Sequence, residues 1–442
     1  MAGIDLHDGR LNQLEFDDRD RLQLAASAAA ESDGARRGTF ESAVVDRGST
    51  GTGAGAGAGT IEWIEQWTAP LRWDKHPGNP IYGPDQSGDW DNWTNGVSIV
   101  PTPDGKTYRM YYCGNGGGDK PGGGSTGGIG FAEASVDDPL TWTEHPASPV
   151  LTPRTGTWEG KSINQPRVSK VTDTHWWMWY TGWGYPEGIP WAMSRAESFD
   201  GGVTWERTTG EPMFDRGAPG EPDDGAVFVP SIIRVGDEWW MYYTAAKANP
   251  DGHQHIHLCL ATSTDGLTWT KHPENPVVTN PNWEGVQRSV MSRCYVRYDR
   301  GAFRLWYSYA NPDYRIFYAE SLDGVHWEQA GDSPVLDAAS EPGWDDKMVE
   351  YPEVQIHDGQ WRLWFCGNGF GKVGFAAGVV EAGVDVTMRS GSTATPDATW
   401  SDWAPVSHGQ AIGDGRYVQV RADLWSKIAD RSPRLNGFSI DG

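Results

Sequence analysis

Residues 263–278 read STDGLTWTKHPENPVV. The stretch is a Gly/Asp turn, a Trp and a Pro-bearing edge, and it is one copy of a repeat. The turn-plus-Trp unit returns as SVDDPLTW at 135–142, SFDGGVTW at 198–205 and SLDGVHW at 321–327, every 58 to 64 residues. The edges that follow are TEHPASPVL, ERTTGEPMF and EQAGDSPVL. A fifth edge, WDKHPGNPIY at 73–82, stands ahead of the first complete unit. Between these lie five aromatic-dense segments, TYRMYYCG, WWMWYTG, WWMYYTA, FRLWYSY and WRLWFCG. Each is preceded by an acidic start and another apolar run, as in WEGKSINQPRV and WDDKMVEYPEV. Each repeat thus offers about four short strands joined by turns, the content of one propeller blade. Radial packing buries both faces of strands that cannot bury them alone. Five blades follow. The orphan edge at 73–82 lacks preceding strands, and the last copy lacks its edge. The early segment should therefore complete the last blade and close the ring.

Composition agrees and excludes several functions. The chain has 442 residues, enough for a propeller plus something smaller. The formal charge of −24 argues against nucleic acid and against an anionic membrane surface. No stretch approaches the ~20 apolar residues of a membrane-inserted helix. The 25 Trp and 57 Gly suit a turn-rich β protein. Of the basic residues 26 are Arg and 10 are Lys. An acidic, Lys-poor surface points to a halophilic protein, since salt screens carboxylate repulsion. The four cysteines, Cys113, Cys259, Cys294 and Cys366, form no CxxC pair and read as packed free thiols. The N-terminus has neither the basic nor the apolar region of a secretory signal, so an extracellular or virion-associated location reached by lysis or within a particle is expected.

The S-x-DG-x-x-W turns and W-x-x-H-P-x-N/S-P-V edges resemble the five-bladed glycosidase-like superfamily. That group includes arabinanase/β-xylosidase, invertase/levanase and mannosyl-phosphorylase families. The resemblance spans roughly residues 69–380 and implies glycan chemistry. SFDGGVTW also resembles the Asp-box of sialidases, a structural turn. The flanks carry GTFESAVVD, WSDW and GRYVQVR. Together they resemble one small β-sandwich of glycan-active and phage-fibre proteins, interrupted by the propeller. The expected fold is all-β: a five-bladed propeller (68–380) inserted into a β-sandwich (35–67 and 381–442). Residues 1–34 are expected to form an N-terminal anchor, helical over 17–31 or extended, that contacts other chains of a homo-oligomer.

The starts of the inner strands bring Asp91, Glu159, Asp223, Asp224, Glu284, Asp345 and Asp346 near one end of the ring. Paired carboxylates are what glycoside hydrolysis needs. Yet an acid that recurs in every repeat serves strand structure first. Residues that break the repeat are stronger candidates. Glu350 stands two before Pro352, where other blades have Asn164 and Phe228, and resembles the E-x-P general acid of arabinanase-like families. Asp91 as base and Asp224 as pKa modulator would complete a catalytic set. Blade one carries no acid at the Asp-Pro position these families use, and WMNDPNG and RDP signatures are absent, so the trio does not carry over intact. Arg288, Arg293, Gln165, Arg167, Asp345 and Glu159 are the glycan-binding candidates, with Lys161 beside them. His253, His255 and His257 share one strand face, but a solvated edge is the expectation there, and neither metal nor cofactor is assigned.

Two functions remain open. One is a glycan-recognising attachment protein, a component of a viral tail fibre or spike for a halophilic host. The other is an exo-acting glycoside hydrolase using axial carboxylates.

Overall fold

In a computed structural model the described residues are 2–4, 6, 10–16, 22–24, 28, 36–47, 60–67, 73–83, 90–91, 93–114, 127–184, 191–248, 254–279, 288–310, 312–329, 333–357, 360–371, 375–412, 415–426 and 433–440. Each repeat folds as an antiparallel meander. Blade one is Thr94–Pro101, Thr107–Gly114, Gly128–Ser135 and Thr143–Glu144. Blade two is Ser162–Lys170, Trp176–Trp183, Ala192–Ser198 and Glu206–Arg207. Blade three is Ala226–Val235, Glu238–Ala246, Gln254–Ser263 and Thr270–Lys271. Blade four is Arg288–Asp299, Ala302–Ala310, Tyr314–Ser321 and Glu328–Gln329. Blade five is Glu350–His357, Gln360–Cys366 and the start of Phe375–Gly391. Its outer strand is Asp74–Lys75, which pairs with Gly378 and Val379, as the orphan edge requires. The five inner strands contact one another in a closed ring, blade one meeting both two and five.

The recurring turns are latches between blades. In 263–269, Ser263 Oγ accepts from the Gly266 N–H, and Asp265 accepts from the Leu267 and Thr268 N–H groups. Three of the four turns, those that contain glycine, then offer a glycine carbonyl to the preceding blade. Tyr111 donates to Gly202 O at 2.6 Å, Trp179 to Gly266 O at 2.9 Å and Tyr242 to Gly324 O at 2.8 Å. These donors are among the most deeply buried side chains, so each latch satisfies a polar atom that would otherwise be stranded in the core.

The remaining strands form two packed sheets. One is Arg36–Glu41, Tyr417–Ser426 and the far half of Phe375–Gly391, with Arg10–Asn12 at its edge. The other joins Thr60–Trp67 to Pro433–Ile440, with Ala2–Ile4, Leu14–Phe16 and Leu22–Leu24. Phe40, Ile61, Trp63, Val420, Leu424, Leu435 and Phe438 fill the space between them. Val45 and Asp46 pair with Val418 and Tyr417, so both flanks build one sandwich.

Of the two forms expected for the start of the chain, the described residues take the extended one. Among the described residues no α-helix forms, and Leu22–Leu24, inside the expected helix, is a strand. Leu22 and Leu24 are buried in the sandwich core, a gain that overrides local helix propensity. The described strands among residues 2–24 pair into the sandwich sheets. The four cysteines are free and buried.

Candidate functional site

Every inner strand is broken by a bulge at the same level. The register slips between Asn164 and Arg167, Phe228 and Ser231, Ser292 and Cys294, and Glu350 and Glu353, with the matching slip in blade one between Tyr111 and Cys113. The residue at each slip has positive φ: Gly96, Gln165, Val229, Arg293 and Tyr351. A bulge re-aims side chains, and five of them in register re-aim a ring of side chains at the axis. Four of the five are not glycine, so the conformation costs free energy that the surroundings must hold in place.

The N–H groups freed or turned by the bulges are taken up between blades. Ser98 Oγ accepts from Val168 N, Ser231 Oγ from Val296 N, and Glu353 Oε1 from Ile99 N. At the other two junctions Thr181 Oγ1 accepts from Val229 N and Ser308 Oγ from Tyr351 N. Arg167 pairs with Glu353 at 2.6 Å, its guanidinium 4.6 Å from the Tyr295 ring centroid. This buried pair fills the axis below the bulges.

At the bulge level sit Gln165, Arg293 and Glu350, 6%, 5% and 0% exposed. Arg293 crosses from blade four and donates to Val97 O of blade one at 2.5 Å. Gln165 Nε2 reaches Asn95 Oδ1 at 3.4 Å. A Cβ on Gly96 would lie 2.4 Å from Gln165 Oε1 and 2.5 Å from Arg293 Nη1, so a larger residue there would push these side chains from their places. Gln165 Oε1, Arg293 Nη1 and both Glu350 carboxyl oxygens make no hydrogen bond within the described residues. Burial pushes the Glu350 carboxyl well above its ordinary range, against the pull of Arg293.

The repeating acids do other work. Tyr112 donates to Asp91, Tyr180 to Glu159 and Tyr243 to Asp223, at 3.0, 2.7 and 2.9 Å. Basic residues of the outer strands complete three of the sites: Arg207 with Glu159 at 2.5 Å, Lys271 with Asp223 at 2.6 Å, Lys75 with Asp345 at 2.5 Å. Arg154 adds a second partner to Glu159. These acids tie the strands of one blade together. Asp91, Asp345 and Glu159, read as catalytic or glycan-binding candidates, each have partners within their own blade. Asp224 accepts from the Gly220 and Ala248 N–H groups and faces Lys247, bracing a loop. Hydrogen bonds and Lys247 hold its carboxyl below the ordinary range against its burial. Asp346 accepts from Asn368. The set Glu350, Asp91 and Asp224 is therefore divided among three local networks.

Arg288 begins the inner strand of blade four and pairs with Gln254; its side chain and Glu284 lie outside the described residues, as does His253. His255 and His257 are buried. His257 meets Thr279 at 2.7 Å, and burial pulls it down to about 4. Among the described residues no group of three or more His, Cys, Asp or Glu is placed to hold a metal ion.

The sequence reading missed the rings beside this floor. Trp183 and Trp191 stack at 5.6 Å, and Phe228 lies 5.5 Å from Trp191. Lys161 Nζ is 4.1 Å from the Trp183 centroid. Trp93 donates to Phe370 O at 2.6 Å, and Phe370 is 40% exposed. Their signal in the sequence was position: Trp93 precedes an inner strand, Phe228 lies near the start of one, Trp183 and Trp191 bound the loop between the second and third strands of blade two, and Phe370 follows the second strand of blade five.

No family model matches the chain. Two uncharacterized proteins from strains of Mycobacterium tuberculosis are 29% identical over 308 and 309 residues, 68% of this chain and 97% of each relative. A glycosyl hydrolase from Bacteroides ovatus superposes with a TM-score of 0.53 at 15% identity, over 71% of this chain and 94% of its own. A structure from the GH130 family of mannoside phosphorylases, described as containing hydrolases that target β-1,2-mannosidic linkages in Candida mannan, gives 0.53 at 16% over 71% and 94%. A thermostable family-43 glycoside hydrolase gives 0.50 at 15% over 75% and 98%. The chain has the glycosidase-like propeller fold.

Proposed function

We propose that the chain is a glycan-recognising protein whose axial mouth holds sugar on the floor of Asn95, Gln165, Arg293 and Glu350. One observation carries recognition over hydrolysis. At the bulge level Glu350 is the single acid among the described residues, and the next acid along the axis, Glu353, is consumed by Arg167. Two-carboxylate hydrolysis needs a second group ~5–9 Å away. The floor instead supplies amides and a guanidinium, which suit hydroxyl recognition. An attachment role, as in a fibre or spike, is supported by the docking of the sandwich. It meets blade four at the turn after the inner strand, through Arg300 and Glu65, at the end of the ring away from the mouth.

The second reading is an exo-acting hydrolase. It is favoured by the raised pKa of Glu350, which keeps a proton available to a leaving group. Calorimetric titration and a reducing-sugar assay on the same mannan, arabinan and xylan preparations separate the two. Recognition gives binding without release. Release of sugar that Glu350→Gln lowers by about 10²–10⁴-fold makes the chain an enzyme.

A further inference from the structure

We propose that the mouth holds an extended oligosaccharide, its rings resting on two aromatic walls on different sides of the axis. The proposal rests on the glycan reading above and goes further by fixing the size of the ligand. The first wall is Trp183, Trp191 and Phe228, on blades two and three. The second is Trp93 of blade one and Phe370 of blade five, tied by the Trp93 hydrogen bond. Tyr314 of blade four supports Phe370 from 6.2 Å.

Neither wall is core. Trp183, Trp191 and Phe228 are half-buried and stand outside the hydrophobic clusters that fill the blades, as do Trp93 and Phe370. Phe370 is the exposed ring, at 40%, and the others are half-buried; rings of this kind beside polar groups that have no partner of their own suit ligand contact. The flat apolar face of a pyranose fits such rings, while its hydroxyls need polar partners beside them. Those partners are present at both walls. Lys161 lies over Trp183 at the first, and Asn95 follows two residues after Trp93 at the second. The two walls sit at separate blade junctions, with Gln165, Arg293 and Glu350 between them on the floor. One sugar ring touching the floor would leave at least one wall uncovered. Arg167, Glu353 and Tyr295 close the axis beneath, so a longer ligand extends sideways over the walls and not down the ring.

The test is a chain-length series on the whole protein. Probes are mannose and β-1,2-linked manno-oligosaccharides of two to six units, with xylo- and arabino-oligosaccharide ladders alongside. Affinity should climb with length and then level off, and Trp fluorescence should respond more to the longer probes. Trp191→Ala should weaken binding of the longest bound probe about tenfold, tenfold being about 1.4 kcal/mol, and weaken the monosaccharide less. Phe370→Ala, at a surface ring where folding is not at stake, should do the same at the other wall. Equal affinity for one unit and six overturns the proposal and leaves the glycan reading standing. Retention of the length dependence in both variants also overturns it. No binding across all three ladders removes both.

Discussion

Glu350 carries a carboxyl sealed from water, with Arg293 as the charged neighbour that opposes the burial. The folded-state pKa is therefore above the ordinary 4.5. Below that value folded and unfolded chains both hold the proton, and the group leaves stability unchanged. As pH rises past it the unfolded chain ionises while the folded one stays protonated, so stability falls by about 1.4 kcal/mol per pH unit until the folded pKa is reached. Glu350→Gln removes that slope while keeping the shape. The variant should melt near wild type at pH 4 and increasingly above it toward pH 7. Parallel melting curves across that range would show the carboxyl to be ionised in the fold. This residue was legible in the sequence because it breaks a repeat. Its neighbours were legible as polar candidates only. Nothing in Gln165 or Arg293 announces a left-handed backbone, since that conformation is imposed by the register of the strands on either side. The repeating acids misled for a related reason. A carboxylate beside an inner strand looks axial in sequence, and the Tyr and Lys that claim it come from other strands of the blade.

At the scale of the strand, ring closure depends on Asp74–Lys75 and on Trp73 just before it. Trp73 is buried and packs 6.5 Å from Trp306 of blade four, in the core shared by blades four and five. Lys75 reaches back to Asp345. One short segment thus completes the last blade, packs on its neighbour and neutralises a buried acid. Trp73→Ala should cost about 3–5 kcal/mol, the range for emptying a buried aromatic site. A urea titration reads this directly. A loss below about 1 kcal/mol would mean that the ring holds without its closing strand. The closure was legible because the edge motif stood alone, without the strands that precede it elsewhere. The strands at the start of the chain were not. Ala2–Ile4 pairs with residues 438–440 at the other end of the molecule, and three-residue strands carry too little pattern to outweigh an Ala-rich run.

Across the whole molecule the question is whether sandwich and propeller behave as one body. They share a backbone strand, Phe375–Gly391, which leaves blade five and continues into the sandwich sheet. They also share a buried ionic joint. Glu65 of the sandwich and Arg304 of blade four are both 0% exposed. Arg304 donates to the Glu65 carbonyl at 2.7 Å, Arg300 pairs with the Glu65 carboxylate, and the Glu65 N–H donates to Arg300 O at 3.1 Å. Gly301 keeps the turn thin enough for Ile64 to approach, since a Cβ there would lie 2.9 Å from Ile64. A buried pair contributes little net stability against an apolar replacement, but removing one partner strands the other charge, typically at 3–5 kcal/mol. Asp299 and Glu320 lie 3.6 and 4.0 Å from Arg304, so part of that cost is absorbed within the propeller. The sandwich loses the ionic part of its anchor and keeps the two main-chain bonds of residue 65 to Arg304 and Arg300. Wild type should therefore unfold in one calorimetric transition. Glu65→Ala should split it, with the sandwich melting first and the propeller, still closed through Trp73, melting later. A single transition at the wild-type temperature in that variant would show that the shared strand and the main-chain bonds of residue 65 suffice to couple the two parts.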